Sequence, residues 1–480
     1  MKRKFFTNLS LLLLLNLLIK PFWIFGVDRT IQNIVGAEEY GLYFSLFNFS
    51  LLLNMLLDLG ITNYNNRNIA QNQQLLSKSL SNIIGLKLIL AFLYAVFTVL
   101  AGLLIGYDTR QFYLLLFLIL NQFIASFILY LRSNLSGLHY FKTDSFISVL
   151  DRALMIVICG ILLWGGITNT QFKIEWIVYA QTLAYVLTLI VTLFIVYGNA
   201  ELIKLNFDKK YFIATLRKSY PFALLALFMI FYYRIDSVML ERMLPDGKEQ
   251  AGIYAQGFRI LDAAAMFAFL FAVLLLPIFS RMIKKKESVN SLTFFSFLLL
   301  IVPVLGVTFA SFFYRVEIME LLYHRHITES SSVFGILMLC FVGISTSYIF
   351  GTLLTAGGNL KELNTLAAGG VVVNIILNLI LIPKYYALGS AIASLVTQSL
   401  TALAQIIIAK RIFKFKVSLK RIAALILFSI LIFLVARFSL WIEINWLYKV
   451  AGILALSLIF ALVFRLINLK VLYDLIKNRD

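Results

Sequence analysis

The sequence predicts an all-α polytopic membrane protein with about fourteen transmembrane helices. Three observations predict it. Hydrophobic residues make up 61% of the 480 positions and charged residues only 14%, with a mean hydropathy of +0.92; soluble domains are nearer half apolar and about a quarter charged. Fourteen segments are long and apolar enough to cross a bilayer, which takes about 20 helical residues. The basic residues fall unevenly between those segments, as the positive-inside rule requires of a chain threaded back and forth.

The first span, 6–26, follows the basic start Met1-Lys-Arg-Lys4 and mimics a secretory signal. No small-residue cleavage site follows, and Lys20-Pro21 interrupts the apolar run, so an uncleaved span is expected. The second, 40–60, opens at Gly41-Leu-Tyr43 and closes on Leu57-Asp-Leu-Gly60. Spans three to six are 82–105, 112–131, 146–165 and 175–197. A basic interval, 199–218, leads to the next six: 221–243, 252–279, 292–313, 332–356, 364–383 and 387–409. The polar gap from Arg315 to Ser331 is the longest interval on the far side. A second basic interval, 410–421, precedes the last two spans, 422–440 and 447–466. Pro21, Pro277 and Pro303 fall inside spans, where each frees a carbonyl and kinks the helix. Pro221 starts one.

An even count puts both termini on one side. That side holds 27 Lys and Arg against 9 on the other, the remaining six lying within spans. Both termini are therefore expected to be cytoplasmic. The net charge of +19 reads as this bias and as attraction to anionic membrane lipids, with no nucleic acid partner.

A faint repeat organises the spans. Gly41-Leu-Tyr43 followed by Phe47 recurs as Gly252-Ile-Tyr254 followed by Phe258, at a constant offset of 211. Each copy opens the second helix of a six-helix unit, a transporter layout. The expected divisions are an N-terminal lobe at 1–200, a C-terminal lobe at 201–415, and spans thirteen and fourteen with a cytoplasmic tail at 416–480.

Six bases lie inside spans: Lys20, Lys87, Arg152, Arg234, Arg259 and Arg437. A base at mid-bilayer costs roughly 2.5–3.5 kcal/mol on insertion scales, so it faces a wet cavity or a partner. Lys20, Arg234 and Arg259 are the deep ones, and a cationic cavity for an anionic cargo is the reading they suggest. For Arg259 the alternative is an ion pair with Asp262 at i+3; for Arg234 it is a pair with Asp236 or Asp262; for Lys20 it is snorkelling. Asn16 lies one turn before Lys20 on the same face. Lys87, Arg152 and Arg437 lie near the ends of their apolar runs, where snorkelling accounts for them, with Arg152 set apart by the adjacent Asp151. Asp58 has Arg67 as its expected partner at a cytoplasmic gate, as an interhelical lock or in transport. Asn121, Gln122, Asn374 and Asn378 are expected to bond between helices.

Several chemistries are missing from the sequence. No G-x-x-x-x-G-K-[ST] phosphate loop is present, so no nucleotide drives the chain directly, and no H-E-x-x-H or serine nucleophile elbow occurs. No cofactor is expected. His324-x-His326 lacks a third metal ligand nearby, and Cys159 and Cys340 lie in apolar spans without disulfide or metal spacing. The short loops speak against a polytopic glycan ligase or polymerase, and the chain reads as a secondary transporter and no enzyme.

Several stretches together resemble the polysaccharide (O-antigen) flippases of the multidrug/oligosaccharidyl-lipid/polysaccharide (MOP) exporter superfamily: Gly36-Ala-Glu-Glu-Tyr-Gly-Leu-Tyr43, Asp58-Leu-Gly60 with Arg67-Asn-Ile-Ala70, Tyr233-Arg-Ile-Asp236, Gly252-Ile-Tyr254 with Arg259-Ile-Leu-Asp262, and Ala387-Leu-Gly-Ser-Ala-Ile-Ala393. The resemblance implies two six-helix lobes around a central cavity. It implies a bacterial cytoplasmic (inner) membrane location and alternating access, coupled to an ion such as a proton or sodium, that moves undecaprenyl-diphosphate-linked oligosaccharide between leaflets. Related lipid II flippases carry cavity arginines on helices 1, 2 and 8; here helix 1 offers Lys20, helix 8 offers Arg259 and helix 2 offers no base, which argues against a lipid II cargo. The residues support an anionic cargo independently, since a diphosphate needs cationic donors and Arg binds it bidentately. Asp236 and Asp262 are then the charge partners of those bases, with ion coupling as a further role. The alternative is a multidrug/cation antiporter of the same superfamily, for which Asp236 and Asp262 would be the attractive groups.

Overall fold

In the computed structural model, residues 14–62, 65, 69, 74, 76–138, 140–166, 171–198, 207–415 and 419–466 are described. No strand occurs among them, and eleven helices meet the length and hydropathy of a membrane span. Dividing one of the eleven at a break, and adding two helices that precede them, gives fourteen long helices among the described residues. Gly36 (φ 83°, ψ 172°) breaks the helical run 14–52 into α1 (14–35) and α2 (37–52). Tyr386 (φ 54°, ψ −135°), three residues after Pro383, breaks Leu360–Phe413 into α11 (360–385) and α12 (387–413). The others are α3 (Leu76–Ile105), α4 (Thr109–Gly137), α5 (Phe141–Trp164), α6 (Ile174–Tyr197), α7 (Lys209–Met243), α8 (Gly247–Lys284), α9 (Asn290–Phe313), α10 (Ile327–Ala356), α13 (Leu419–Phe438) and α14 (Trp446–Val463). The chain is an all-α polytopic membrane protein.

Several boundaries differ from the hydropathy reading, most by extension of a helix into polar sequence, whereas α2 stops at Leu52, short of the expected end at 60. The helix α1 continues through a π-helical turn, Trp23–Asp28, to the Gly36 break, where a loop is expected. Polar residues hold that extension: Thr30 Oγ1 donates to the Gly26 carbonyl at 2.6 Å, and Gln32 Nε2 to Asp28 Oδ2 at 3.1 Å. Lys20 consequently lies fifteen residues before the end of α1 rather than in the outer half of a shorter span. The helices α3 and α5 begin at Leu76 and Phe141, five or six residues ahead of their apolar runs. The expected 315–331 loop is largely filled by a short helix, Arg315–Leu322, and the entry turn of α10.

The chain divides into two compact units, Met1–Ala255 and Gln256–Asp480. In the first unit a core of Leu80, Ile83, Ile124, Tyr130, Leu131 and Leu135 joins α3 to α4. Asp108 starts α4 with a reciprocal capping box to Gln111. The motif glycines meet here: a β-carbon on Gly41 would collide with the Lys248 carbonyl oxygen, and one on Gly252 with the Ala37 carbonyl oxygen. The two copies of the repeat thus form one backbone-to-backbone crossing of α2 with the first turns of α8, which glycine alone permits.

In the second unit α10 is the most buried span, at 72%. Small residues let its neighbours approach: a β-carbon at Gly343 would lie 3.0 Å from the Gln398 carbonyl of α12. Across the Tyr386 break, Ser390 Oγ donates to Asn378 Oδ1 at 2.6 Å and Asn378 Nδ2 to Asn374 Oδ1 at 3.1 Å. Gln122 of α4 likewise donates to Ser50 of α2 at 3.2 Å, and Asn121 to the Val178 carbonyl of α6 at 3.4 Å. Asn121, Gln122 and Asn378 bond between helices, as expected, whereas the Asn374 side chain accepts from Asn378 within its own helix.

Candidate functional site

The charged residues inside spans fall into distinct settings. Lys87 is 1% exposed and uses all three ammonium protons, donating to the Leu57 carbonyl at 2.9 Å, Asp58 Oδ1 at 2.7 Å and Ser126 Oγ at 2.9 Å. Its ammonium also lies 5.9 Å from the Tyr130 ring centroid. Snorkelling is therefore the wrong account of Lys87. It sits eleven residues into α3, about 16 Å along the axis, and repairs irregular backbone. Beyond α2 the chain passes through a 3-10 turn, Asn54–Leu57, and then Leu59 (φ 46°) and Gly60 (φ 80°). Carbonyls freed at such depth need partners inside the protein. Asp58 also accepts from the Thr62 hydroxyl and its amide. Its partner in the structure is Lys87; Arg67, the expected partner, lies outside the described residues.

Lys20 is half-buried in a cavity of about 240 Å³ inside the first unit, lined also by Arg132, Asp151, Arg152, Tyr185 and Thr188. Asn16 Nδ2 reaches Ser148 Oγ of α5 at 3.2 Å, one turn before Lys20. Arg132 is held by Asp144 at 2.7 Å. Arg152 lies 3.8 Å from Asp151 and 6.0 Å from the Trp23 ring. Arg152 is half-buried eleven residues into α5. Arg437, by contrast, is exposed near the end of α13 with its guanidinium 5.8 Å from the Trp441 ring, as a snorkelled base should be.

Arg234 is half-buried on α7, 3.5 Å from Asn48 Oδ1 and 5.1 Å from the Tyr233 ring. Asn48 in turn donates to Ser237 Oγ at 2.8 Å. Asp236 is fully buried and accepts from the Tyr254 hydroxyl at 2.8 Å. Arg259 and Asp262 are half-buried on α8, in the second unit. The structure thus groups Lys20 with Arg132 and Arg152, and Arg234 with Asn48.

Sequence reasoning missed two features. Asp28, assigned to a loop, is fully buried in the π-helical turn of α1 and accepts from Tyr40 at 2.8 and 2.9 Å. The available signal was the polar run Asp28–Asn33 ahead of Gly36. The second is a polar network at the helix ends around 105–110. Arg110 binds Glu39 through both terminal nitrogens at 2.8 and 2.6 Å, and Glu175 at 2.7 Å. Gln111 donates to Glu241 at 2.7 Å, and Arg242 binds Glu241 and caps the carbonyls of Ile105 and Gly106. Burial and the adjacent Glu241 carboxylate push the Tyr107 phenol up from its ordinary value, so it stays neutral beneath the Arg242 guanidinium. Among the described residues no group of three or more His, Cys, Asp or Glu is placed to hold a metal ion.

The fold is that of known transporters. The lipid II flippase MurJ in an inward closed conformation superposes with a TM-score of 0.69 at 16% identity, over 96% of this chain and 98% of that one. An inward-facing multidrug resistance MATE family transporter of the MOP superfamily gives 0.61 at 16% identity, over 84% and 100%. A MOP superfamily transporter from Pyrococcus furiosus, described as having a binding pocket of reverse polarity, gives 0.60 at 15% identity, over 85% and 95%. No curated protein matches the chain. A family model described as polysaccharide biosynthesis protein matches residues 7–283. With more than half its length under that model and a MOP transporter fold throughout, the chain belongs to the polysaccharide biosynthesis protein family.

Proposed function

We propose that this protein is a flippase that moves undecaprenyl-diphosphate-linked oligosaccharide, an O-antigen or other surface-polysaccharide repeat unit, across the cytoplasmic membrane by alternating access. Both termini are cytoplasmic in this reading, with functional lobes at 1–200 and 201–415 and an accessory segment at 416–480. Lys20, Arg234 and Arg259 bind the diphosphate. Asp236 and Asp262 balance those bases between cargoes and take the coupling ion, a proton or sodium. Asp58 and Arg67 belong to the cytoplasmic gate. The observation that carries the reading is Arg234: an arginine well inside a spanning helix, half-buried beside an amide and an aromatic ring. That setting suits an oxyanion bearing sugars.

Arg234→Ala and Arg259→Ala are each expected to abolish surface glycan while the protein still reaches the membrane. Normal glycan display in both variants would overturn the reading. The buried acids Asp28 and Asp236 favour a second reading, a multidrug/cation antiporter. Drug resistance conferred by expression, without any glycan phenotype on deletion, would select it.

A further inference from the structure

The end of α1 and the starts of α2, α4 and α6 enclose a second cavity of the first unit, of about 490 Å³, which none of the intramembrane bases lines. Its polar residues flank or open the apolar runs 40–60, 112–131 and 175–197 and interrupt none of them, which places it at one end of the unit. Its volume falls within the roughly 300–1,000 Å³ of small-molecule sites. Arg110 stands at its centre. The guanidinium donates from Nη1 and Nη2 to the two Glu39 oxygens at 2.8 and 2.6 Å, and from Nε and Nη2 to Glu175 Oε1 at 3.0 and 2.7 Å. Two carboxylates from different helices are thereby fixed around one cation. Exposed pairs of this kind add little stability; what they fix is geometry. Beside them the chain alternates. Phe172 and Ile174 turn inward, 8% and 1% exposed, while Gln171 and Lys173 are exposed. Neither the Gln171 amide nor the Lys173 ammonium makes a hydrogen bond or ion pair among the described residues.

The balance of these groups specifies a class of ligand. Two carboxylates stand against two bases, so the pocket has no net charge. An anion would meet a single uncommitted cation, Lys173, and two carboxylates. A cation would meet carboxylates that Arg110 already neutralises. An apolar ligand would strip water from four charged groups. A polyol incurs none of these costs, because each hydroxyl both donates and accepts. It takes protons from Lys173 and Gln171, gives protons to Glu39 and Glu175, and lays its C–H faces on Ile34, Val35 and Phe172. We infer that this pocket is a binding site for a short neutral saccharide, with Arg110 as the positioning residue for its two carboxylates. The source of the saccharide rests on the flippase reading, which makes it the glycan of the cargo; the binding itself does not.

The test is titration of the full-length protein in nanodiscs, read by saturation-transfer NMR. The probes are the methyl glycosides of glucose, galactose, mannose, rhamnose and N-acetylglucosamine. Methyl glucuronide and methyl glucosaminide are the anionic and cationic controls. At least one neutral glycoside is expected to saturate with a Kd below about 10 mM. The double variant Gln171→Ala/Lys173→Met removes only side chains with no bond inside the protein, so it leaves the fold alone, and it should weaken that binding at least tenfold. Arg110→Ala should weaken it as much and also shift preference to the glucosaminide, since two carboxylates then face the pocket without their cation. A purely structural arginine would produce no such inversion. The inference is overturned if no neutral glycoside saturates, or if both variants bind within twofold of wild type. It is equally overturned if either charged control binds the wild type more tightly than every neutral glycoside. Saccharide binding together with normal glycan display in Arg234→Ala and Arg259→Ala upholds the pocket and removes the flippase reading.

Discussion

Removal of the Lys87 charge is the sharpest test of how the first unit is held together. Lys87→Met keeps the length and apolar stem of the side chain and deletes its three donated bonds. Breaking a buried ion pair from one side costs about 3–5 kcal/mol. The low end applies here, because Asp58 is 27% exposed and retains its bonds from Thr62. Ser126, 3.3 Å from the Leu57 carbonyl, also covers part of that loss. A cost of about 3 kcal/mol corresponds to a fall of roughly 6–12 °C in apparent Tm for a unit of this size. The assay is thermal unfolding of the purified protein in nanodiscs, followed by tryptophan fluorescence. The double variant Lys87→Met/Asp58→Leu removes both charges and should recover most of the loss, since an apolar replacement for an ion pair is often near neutral. If Lys87→Met lies within about 2 °C of wild type, or the double variant falls further than the single one, the pair does not hold this region together.

Other outcomes follow from the helix crossings and the surface. Gly41→Ala and Gly252→Ala set a β-carbon against backbone carbonyls, and each should cost at least the roughly 1–3 kcal/mol typical of overpacking. Gly102→Ala meets only the side chains of Tyr107, Phe112 and Leu115 at 3.2–3.3 Å and should cost less than half as much in the same unfolding assay. Arg110→Ala, despite four hydrogen bonds to carboxylates, removes two ion pairs in which the arginine is 46% exposed. It should change stability by less than about 1 kcal/mol, and by less again in 1 M salt.

The number and order of the spans were legible in the sequence because twenty apolar residues in a row admit one reading in a bilayer. The helix starts were not. Lys87 and Arg152 both looked like residues near an end, because the apolar runs begin at about 82 and 146. The helices begin at Leu76 and Phe141, with amphipathic entry turns that carry no hydropathy signal. That difference places both bases three turns into their helices. Gly36 and Tyr386 were similarly opaque: a loop was expected before the second span and a short gap before the twelfth, and each is a single non-helical residue in an otherwise continuous run. The Gly41 and Gly252 motif was readable as a repeat. That its two copies touch was not, because pairing across more than 200 residues leaves no local trace.

The Lys87–Asp58 pair also bears on how the chain enters the membrane. The Lys87 helix carries an unbroken apolar run after the lysine, Leu88 to Ile105, whose residues offset the insertion penalty of one charge. Asp58 is synthesised 29 residues before Lys87, and Ser126 39 residues after it. When α3 leaves the ribosome, its counter-charge has already been made and lies in the irregular segment that follows α2. The α2–α3 hairpin can therefore partition into lipid as a neutral unit before α4 exists, and α4 then closes over a charge that is already paired.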